Sequence, residues 1–437
     1  MRRIISCWAP ALMSIIAVIL TGSCKKEHKP SSADTYDNVL LIYSAGYNDL
    51  SSDLEDDIDD IRENGYVPKK NSRNALLVLS KRIVTMGNYV TKTPASLVRL
   101  YSDSKGGVVS DTVKVWPKGT IAADANTVNE VLGYVRKEFP ASGYGMIFSS
   151  HASGWLPKGY YTTGKITSAA TTSGMMLPGL SQRLFPEPVP VPYAEPEEEP
   201  GAPRVRSIGM DRYSTSLSMS YEMELETFAE AIPMTLDYII FDSCLMGGVE
   251  VAYALREKCG KVIFAPTETM ADGLCDYTKV TGRLLKGSSP DLLGICEDSY
   301  AHYTDESAQY KYLTISMVDC AKTEALAEEC RKLFSDYRAE LAAVNPSSVQ
   351  GYFRYKRHWF YDLRDILVQS GIPSAALTGF DSALSRCVDY EAATEKFISI
   401  DIRTHCGLSM YLPANGSSSL NSFYKSLSWN EATGLVE

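Results

Sequence analysis

Between Cys24 and Cys244 the chain has no cysteine. Nowhere does it carry a CxxC pair or the Cys/His spacing of a structural zinc site. A metal ribbon and a disulfide scaffold are thereby excluded. Seven cysteines follow Cys244: Cys259, Cys275, Cys296, Cys320, Cys330, Cys387 and Cys406. If Cys244 is a free nucleophile an odd number remains, so the reading is buried thiols with one or two disulfides at most. There is no Walker loop, no GxGxxG, no HExxH and no internal repeat. Each of those absences removes a class: phosphate loops, dinucleotide folds, zinc peptidases, solenoids. Basic residues are too few and too scattered for a nucleic-acid footprint. The net charge is −10, which suits a cationic substrate better than a phosphate backbone.

What is present begins with a targeting segment. Arg2 and Arg3 precede an apolar run at residues 11–20. That run is too short for a spanning helix, which needs about twenty apolar residues. Leu20-Thr21-Gly22-Ser23-Cys24 then looks like a bacterial lipoprotein cleavage site, with Cys24 taking the lipid. Leu20 lies four positions before Cys24 rather than the usual three, and an ordinary signal peptide cut near Ser23 is the alternative. Residues 1–24 are read as the signal, 25–37 as a polar tether and 38–437 as the folded domain. The expected location is exported and lipid-anchored to a bacterial membrane, at its periplasmic face or the cell surface.

Of the 437 residues, 45% are hydrophobic, enough for a sizeable core. Short apolar strand patterns at 38–43, 75–79, 97–101, 112–115, 144–148, 238–241, 261–265 and 408–412 alternate with helical patterns at 50–61, 125–139, 249–258, 290–304 and 321–344. Such alternation predicts an α/β fold with a largely parallel central sheet and helices on its faces. Two strand ends carry reactive groups. Residues 144–148 run into Ser149-Ser150-His151, and residues 238–241 into Asp242-Ser243-Cys244. Open α/β sheets place chemistry at that strand edge, and a thiol there can gain reactivity from the helix that follows. If the two strands are neighbours, imidazole and thiol meet. A cysteine behind an apolar strand is also commonly an inert buried thiol, and a loop histidine plain polar surface.

Between them, residues 157–207 read as an insertion. The part from Arg183 to Arg206 is rich in proline and glutamate and is expected to form no strand or helix, only an exposed loop where proteases cut. Lys158, Lys165, Arg183, Arg204 and Arg206 lie in the insertion. Residues 220–232 then read as an amphipathic helix. The carboxylates between Asp49 and Glu63 suggest either a cation site or a solvated helix face, and the solvated face is the reading preferred.

LLIYSAGYNDL, YGMIFSSHASGW and LDYIIFDSCLMGG, with weaker TETMADGLCDY, YDL and GLSMYLP, resemble the clostripain family of cysteine peptidases, relatives of the caspase-like clan. The resemblance runs from about residue 38 to the C-terminus and is broken by the insertion. It implies a caspase-like sheet with a C-terminal extension and an endopeptidase with a Cys244–His151 dyad. The backbone N–H groups of Cys244 and Ala152 would form the oxyanion site. Asp242 would be the pocket carboxylate for Arg or Lys just before the scissile bond, with Asp272 as a second. Self-processing would fall between the two blocks, with Arg204 and Arg206 as first candidates. No cofactor is expected; calcium enters only because some relatives respond to it, and no calcium loop is legible. The expected partners are proteins or peptides with basic residues, and the membrane through the anchor. Ala152 departs from the family's glycine, which is harmless only at negative φ. Two other readings stay open: an inactive surface-binding lipoprotein of the same fold, and another cysteine hydrolase or transpeptidase.

Overall fold

A computed structural model describes residues 35–86, 89–160, 184–192, 207–212, 219–354 and 358–437. The signal, the Cys24 anchor, most of the tether and the candidate processing residues Arg204 and Arg206 lie outside the described residues, as do Lys165 and Arg183. Thr35–Glu437 form one compact unit.

Its strands, in chain order, are β1 (Tyr36–Gly46), β2 (Asn74–Met86), β3 (Tyr89–Lys92), β4 (Ser96–Ser102), β5 (Val108–Val115), β6 (Ala141–Ser149), β7 (Val191–Pro192), β8 (Ile208–Arg212), β9 (Met219–Met223), β10 (Leu236–Asp242), β11 (Cys259–Phe264), β12 (Thr314–Asp319), β13 (Tyr361–Asp362) and β14 (Val388–Ala393). The main sheet runs β14-β12-β11-β10-β6-β1-β2-β4-β5, with β3 paired to β2. The five middle strands, β11-β10-β6-β1-β2, pair in parallel, and the outer ones are antiparallel. A strand covered on both faces needs apolar residues at successive positions. In β1, Leu40 and Ile42 enter one core while Val39, Leu41 and Tyr43 enter the other. Helix α1 (Asp53–Glu63) closes one face with Ile58 and Ile61; α2 (Ala125–Glu138) closes the opposite face with Val128, Val131, Leu132 and Val135. The middle of the sheet has one close approach that sequence alone does not explain. At the pairing of Gly145 with Tyr238, a Cβ on Gly145 would lie 1.9 Å from the Tyr238 ring, so that position of β6 takes no side chain.

Several expected elements change form. Residues 220–232 are not one helix. Met219–Met223 is strand β9, and α3 (Leu225–Ala231) follows. The proline-rich stretch is not wholly without structure, because β7 pairs with β9. Pro192 is tolerated there because β7 is an edge strand. Strand β8, just past the insertion, has no counterpart in the sequence reading. It completes the small β7-β9-β8 sheet. The strand at 408–412 shrinks to Ser409–Met410, paired with β13. The helix expected over 249–258 is shorter, α4 (Val249–Ala254). Two more helices matter below: α5 (Tyr277–Leu285) and α6 (Leu292–Thr304). All eight described cysteines are free thiols, so no disulfide joins them. No described helix is long and apolar enough to cross a membrane.

Candidate active site

Strands β6 and β10 are parallel neighbours, with Ser149 opposite Asp242. Two residues beyond that pair come His151 and Cys244, in the loops that leave the two strands at one edge of the sheet. The two loops touch. Gly154, at φ +60°, packs so tightly that a Cβ there would lie 2.5 Å from the Leu245 carbonyl oxygen. Ser243 Oγ donates to the Phe148 carbonyl at 3.3 Å.

His151 is held by three segments. Its Nε2 lies 3.2 Å from Asp49 Oδ1, in the turn after β1, and Arg212 of β8 stands 3.9 Å from the same oxygen. The His151 carbonyl accepts from Gly209 N at 3.0 Å. Beside it, Ser150 Oγ donates to the Ala45 carbonyl and accepts from Met210 N, while Asn48 Nδ2 donates to the carbonyls of Ala45 and Met210. The loops after β1 and β6 and strand β8 are therefore one hydrogen-bonded block. Ala152 is buried and its φ is negative, so the methyl group is no obstacle. Its bridge to Ile208 uses the N–H groups of Ser153 and Gly209 and leaves the Ala152 N–H out of that ladder.

Cys244 sits on a sharp turn. Leu245 has φ +60°, unusual for a branched side chain, and its N–H donates to Thr267 O at 2.7 Å. The thiol is half-buried and accepts a hydrogen bond from Thr269 N at 3.3 Å. Burial, then the carboxylate of Glu268, push it up to about 12; the Thr269 N–H and Arg354 pull the other way. Helix α4 starts only at Val249, and desolvation dominates. Glu268 is itself buried, with Arg354 Nη2 at 3.3 Å, and burial raises it to about 7.

Below the strand edge, buried Asp242 accepts from Leu274 N at 2.6 Å and from Tyr277 Oη at 2.7 Å. Burial raises its pKa against those two bonds. Asp272 is elsewhere: half-exposed, with His302 Nε2 at 3.8 Å. Both carboxylates act on Tyr303, so they border one region from different depths. The acidic helix is only partly a solvated face. Asp56 and Asp60 are exposed, but Asp57 is 9% exposed and lies on the buried stripe with Leu54, Ile58 and Ile61. Its i, i+3, i+4 spacing was the available signal. Asp49, Arg212 and Arg354 were missed because only the fold brings them to the site, whereas Glu268 stands in the 267–273 loop, which follows a strand and whose carboxylates are expected from sequence to face the same cleft. Among the described residues no group of three or more His, Cys, Asp or Glu stands ready for a metal ion.

The clostripain family model matches residues 42–185 and 195–433. A comparison with curated proteins finds no match. Among solved structures, the chain is similar to an inactive zymogen C11 protease from Parabacteroides distasonis, at 23% identity and TM-score 0.69, covering 92% of this chain and 99% of that one. It is also similar to a secreted C11 cysteine protease from Bacteroides thetaiotaomicron, at 22% identity and TM-score 0.68, covering 91% and 99%. The same secreted protease in complex with an irreversible peptide inhibitor gives 21% identity and TM-score 0.69, covering 91% and 98%. These likenesses show a shared caspase-like fold, and the family match goes further: the chain belongs to the clostripain family of cysteine peptidases.

Proposed function

We propose that the chain is an exported endopeptidase that cleaves after Arg or Lys with a Cys244–His151 dyad. The observation that supports this reading is the pairing of β6 with β10 in register, whose last pair, Ser149 with Asp242, precedes His151 and Cys244 by two residues each. The resting thiol keeps its proton, so attack and proton removal are coupled. Sγ bonds to the scissile carbonyl carbon as His151 takes the thiol proton. Asp49 at Nε2 orients the ring, leaving Nδ1 for proton transfer. The developing oxyanion is received by the backbone N–H groups of Ala152 and Cys244. Collapse breaks the C–N bond, and His151 gives its proton to the leaving amine. Water then attacks the thioester with His151 as base, and the acid leaves as the thiol reforms. Asp242 supplies negative charge for the basic side chain, with Asp272 nearer the rim.

The reading includes a lipid anchor at Cys24 and self-cleavage after Arg204 or Arg206. It requires no metal. The experiment is hydrolysis of fluorogenic Arg, Lys and neutral peptides by the chain beginning near Ser31, beside Cys244→Ala and Asp49→Asn, with intact mass recorded. The parent is expected to cleave Arg and Lys reporters and Cys244→Ala to be silent. Asp49→Asn is expected to lose about tenfold or more in kcat with KM kept. A parent that is silent on all three peptides, even after trypsin trims the insertion, overturns the reading. A full-length Cys24→Ser variant that still partitions with membranes overturns the anchor.

A further inference from the structure

Helix α1 buries a residue that its apolar stripe should not contain. Leu54, Ile58 and Ile61 face the core, and Asp57 faces it with them. Yet this residue, 9% exposed, takes part through its side chain in none of the hydrogen bonds or ion pairs of the described residues. Buried carboxylates are normally paired or hydrogen-bonded, because a desolvated charge is expensive. What stands near Asp57 makes matters worse. Asp242 lies within electrostatic reach from β10, and Asp53, Asp56 and Asp60 add like charge from its own helix. From the neighbouring segment and helices, Cys275, Tyr277 and Tyr303 face it as neutral groups. The largest influences on it, after burial, all come from carboxylates. A site that holds two buried carboxylates and no cation is built for a cation from outside.

We propose that Asp57 is a specificity-determining residue, forming with Asp242 a two-carboxylate seat that receives the charged end of the substrate's Arg side chain. This rests on the reading of the chain as a peptidase that cleaves after basic residues.

The acceptor arithmetic assigns the two carboxylates different parts. Each oxygen of Asp242 already accepts one internal bond, from Leu274 N and from Tyr277 Oη. Asp242 is thus fixed in place with half of its acceptor capacity spent. Gly273, at φ +78°, lets the backbone close over it; a Cβ there would come within 3.1 Å of Asp242 Oδ2. Asp57 has spent none. A guanidinium carries five N–H donors in a planar fork and an ammonium three. The surplus acceptors therefore favour Arg over Lys. Without a ligand, burial and the Asp242 charge raise Asp57 to about 9, so the empty pair retains a proton at neutral pH. An arriving guanidinium replaces that proton and the proton leaves to buffer.

The test is hydrolysis of the Arg, Lys and neutral reporters by Asp57→Asn. Asparagine keeps the shape of the protonated acid, so folding should persist. The expected result is a ten- to hundredfold loss of kcat/KM on the Arg reporter, carried mainly by KM. A smaller loss is expected on Lys. A measurement that leaves Asp57 intact accompanies it: calorimetric titration of the Arg reporter into Cys244→Ala at pH 7.5 in two buffers of different ionisation enthalpy. About one proton released per peptide bound is expected. Asp57→Asn within twofold of the parent on Arg, or binding with no proton release, overturns the proposal. If the parent cleaves neither Arg nor Lys, the peptidase specificity has failed instead, which separates the two.

Discussion

At the scale of single residues, the resting nucleophile is set by an argument between Glu268 and Arg354. Glu268 raises the Cys244 thiol and Arg354 lowers it, over a larger contribution from burial. Since the thiolate is the reactive form, removing the Glu268 charge should speed alkylation of Cys244. The effect has a defined pH window. Glu268 titrates near 7, so below that it is mostly protonated and Glu268→Gln should match the parent. Above it the parent acquires the opposing charge and the variant pulls ahead, by roughly three- to tenfold at pH 8.5. Arg354→Ala should go the other way. Iodoacetamide labelling followed by peptide mapping reads both, and equal rates across the pH range would remove Glu268 from the account. The places of His151 and Cys244 just past two strands were legible in sequence because each follows an apolar run directly. Glu268 was legible only as a carboxylate in a loop after a strand, and Arg354 not at all, since 86 positions separate two groups whose meaning lies in a 3.3 Å contact.

At the scale of elements, the strands with two buried faces announced themselves, because both registers must be apolar. Strands β1, β2, β6, β10 and β11 all fall where continuous apolar runs predicted. Strand β9 did not. Among the described residues it pairs only with β7 and β8, beside the insertion, and its Met and Ser positions merge into the helical spacing of Leu225, Phe228 and Ala229. Strand β8 was equally hidden, yet it anchors the His151 loop. The anchor's own fastening is a buried ion pair: Lys81 of β2 with Asp211 of β8, whose carboxylate also accepts from Ala122 N at 2.7 Å. Both partners are buried. Removing one leaves the other charged and desolvated, at a cost of about 3–5 kcal/mol. Lys81→Met should therefore lower the melting temperature by several degrees and reduce kcat, since β8 no longer fixes the histidine loop. Arg73→Ala, which breaks the exposed pair with Asp37, should change the midpoint by about a degree at most. Thermal unfolding followed by circular dichroism distinguishes them, and equal midpoints would mean that β8 is held by its backbone bonds alone.

At the scale of the whole molecule, the insertion divides the chain but not the sheet. Strands β1, β2 and β6 come before it and β10 and β11 after it, and β6 pairs with β10 along Tyr238 to Asp242. Both cores mix residues from the two sides. Met146 and Phe148 pack with Phe228, Phe241 and Leu245, and Leu40 and Ile58 with Ile240, Tyr277 and Val280. The seam thus carries hydrogen-bonded ladder and apolar packing together, the combination that makes obligate interfaces persist. The proposed dyad straddles it, with His151 on one side and Cys244 on the other. A cut between the blocks should leave a two-chain protein that stays folded. Placing an engineered protease site between residues 193 and 206, and cutting it in Cys244→Ala to exclude self-processing, isolates this question. The cut chain should elute as one species of unchanged size from gel filtration, resolve into two fragments only in denaturant, and unfold in a single transition. Fragments that separate under native conditions would show that the β6–β10 seam is too weak to hold the halves. Self-cleavage would then disassemble this enzyme.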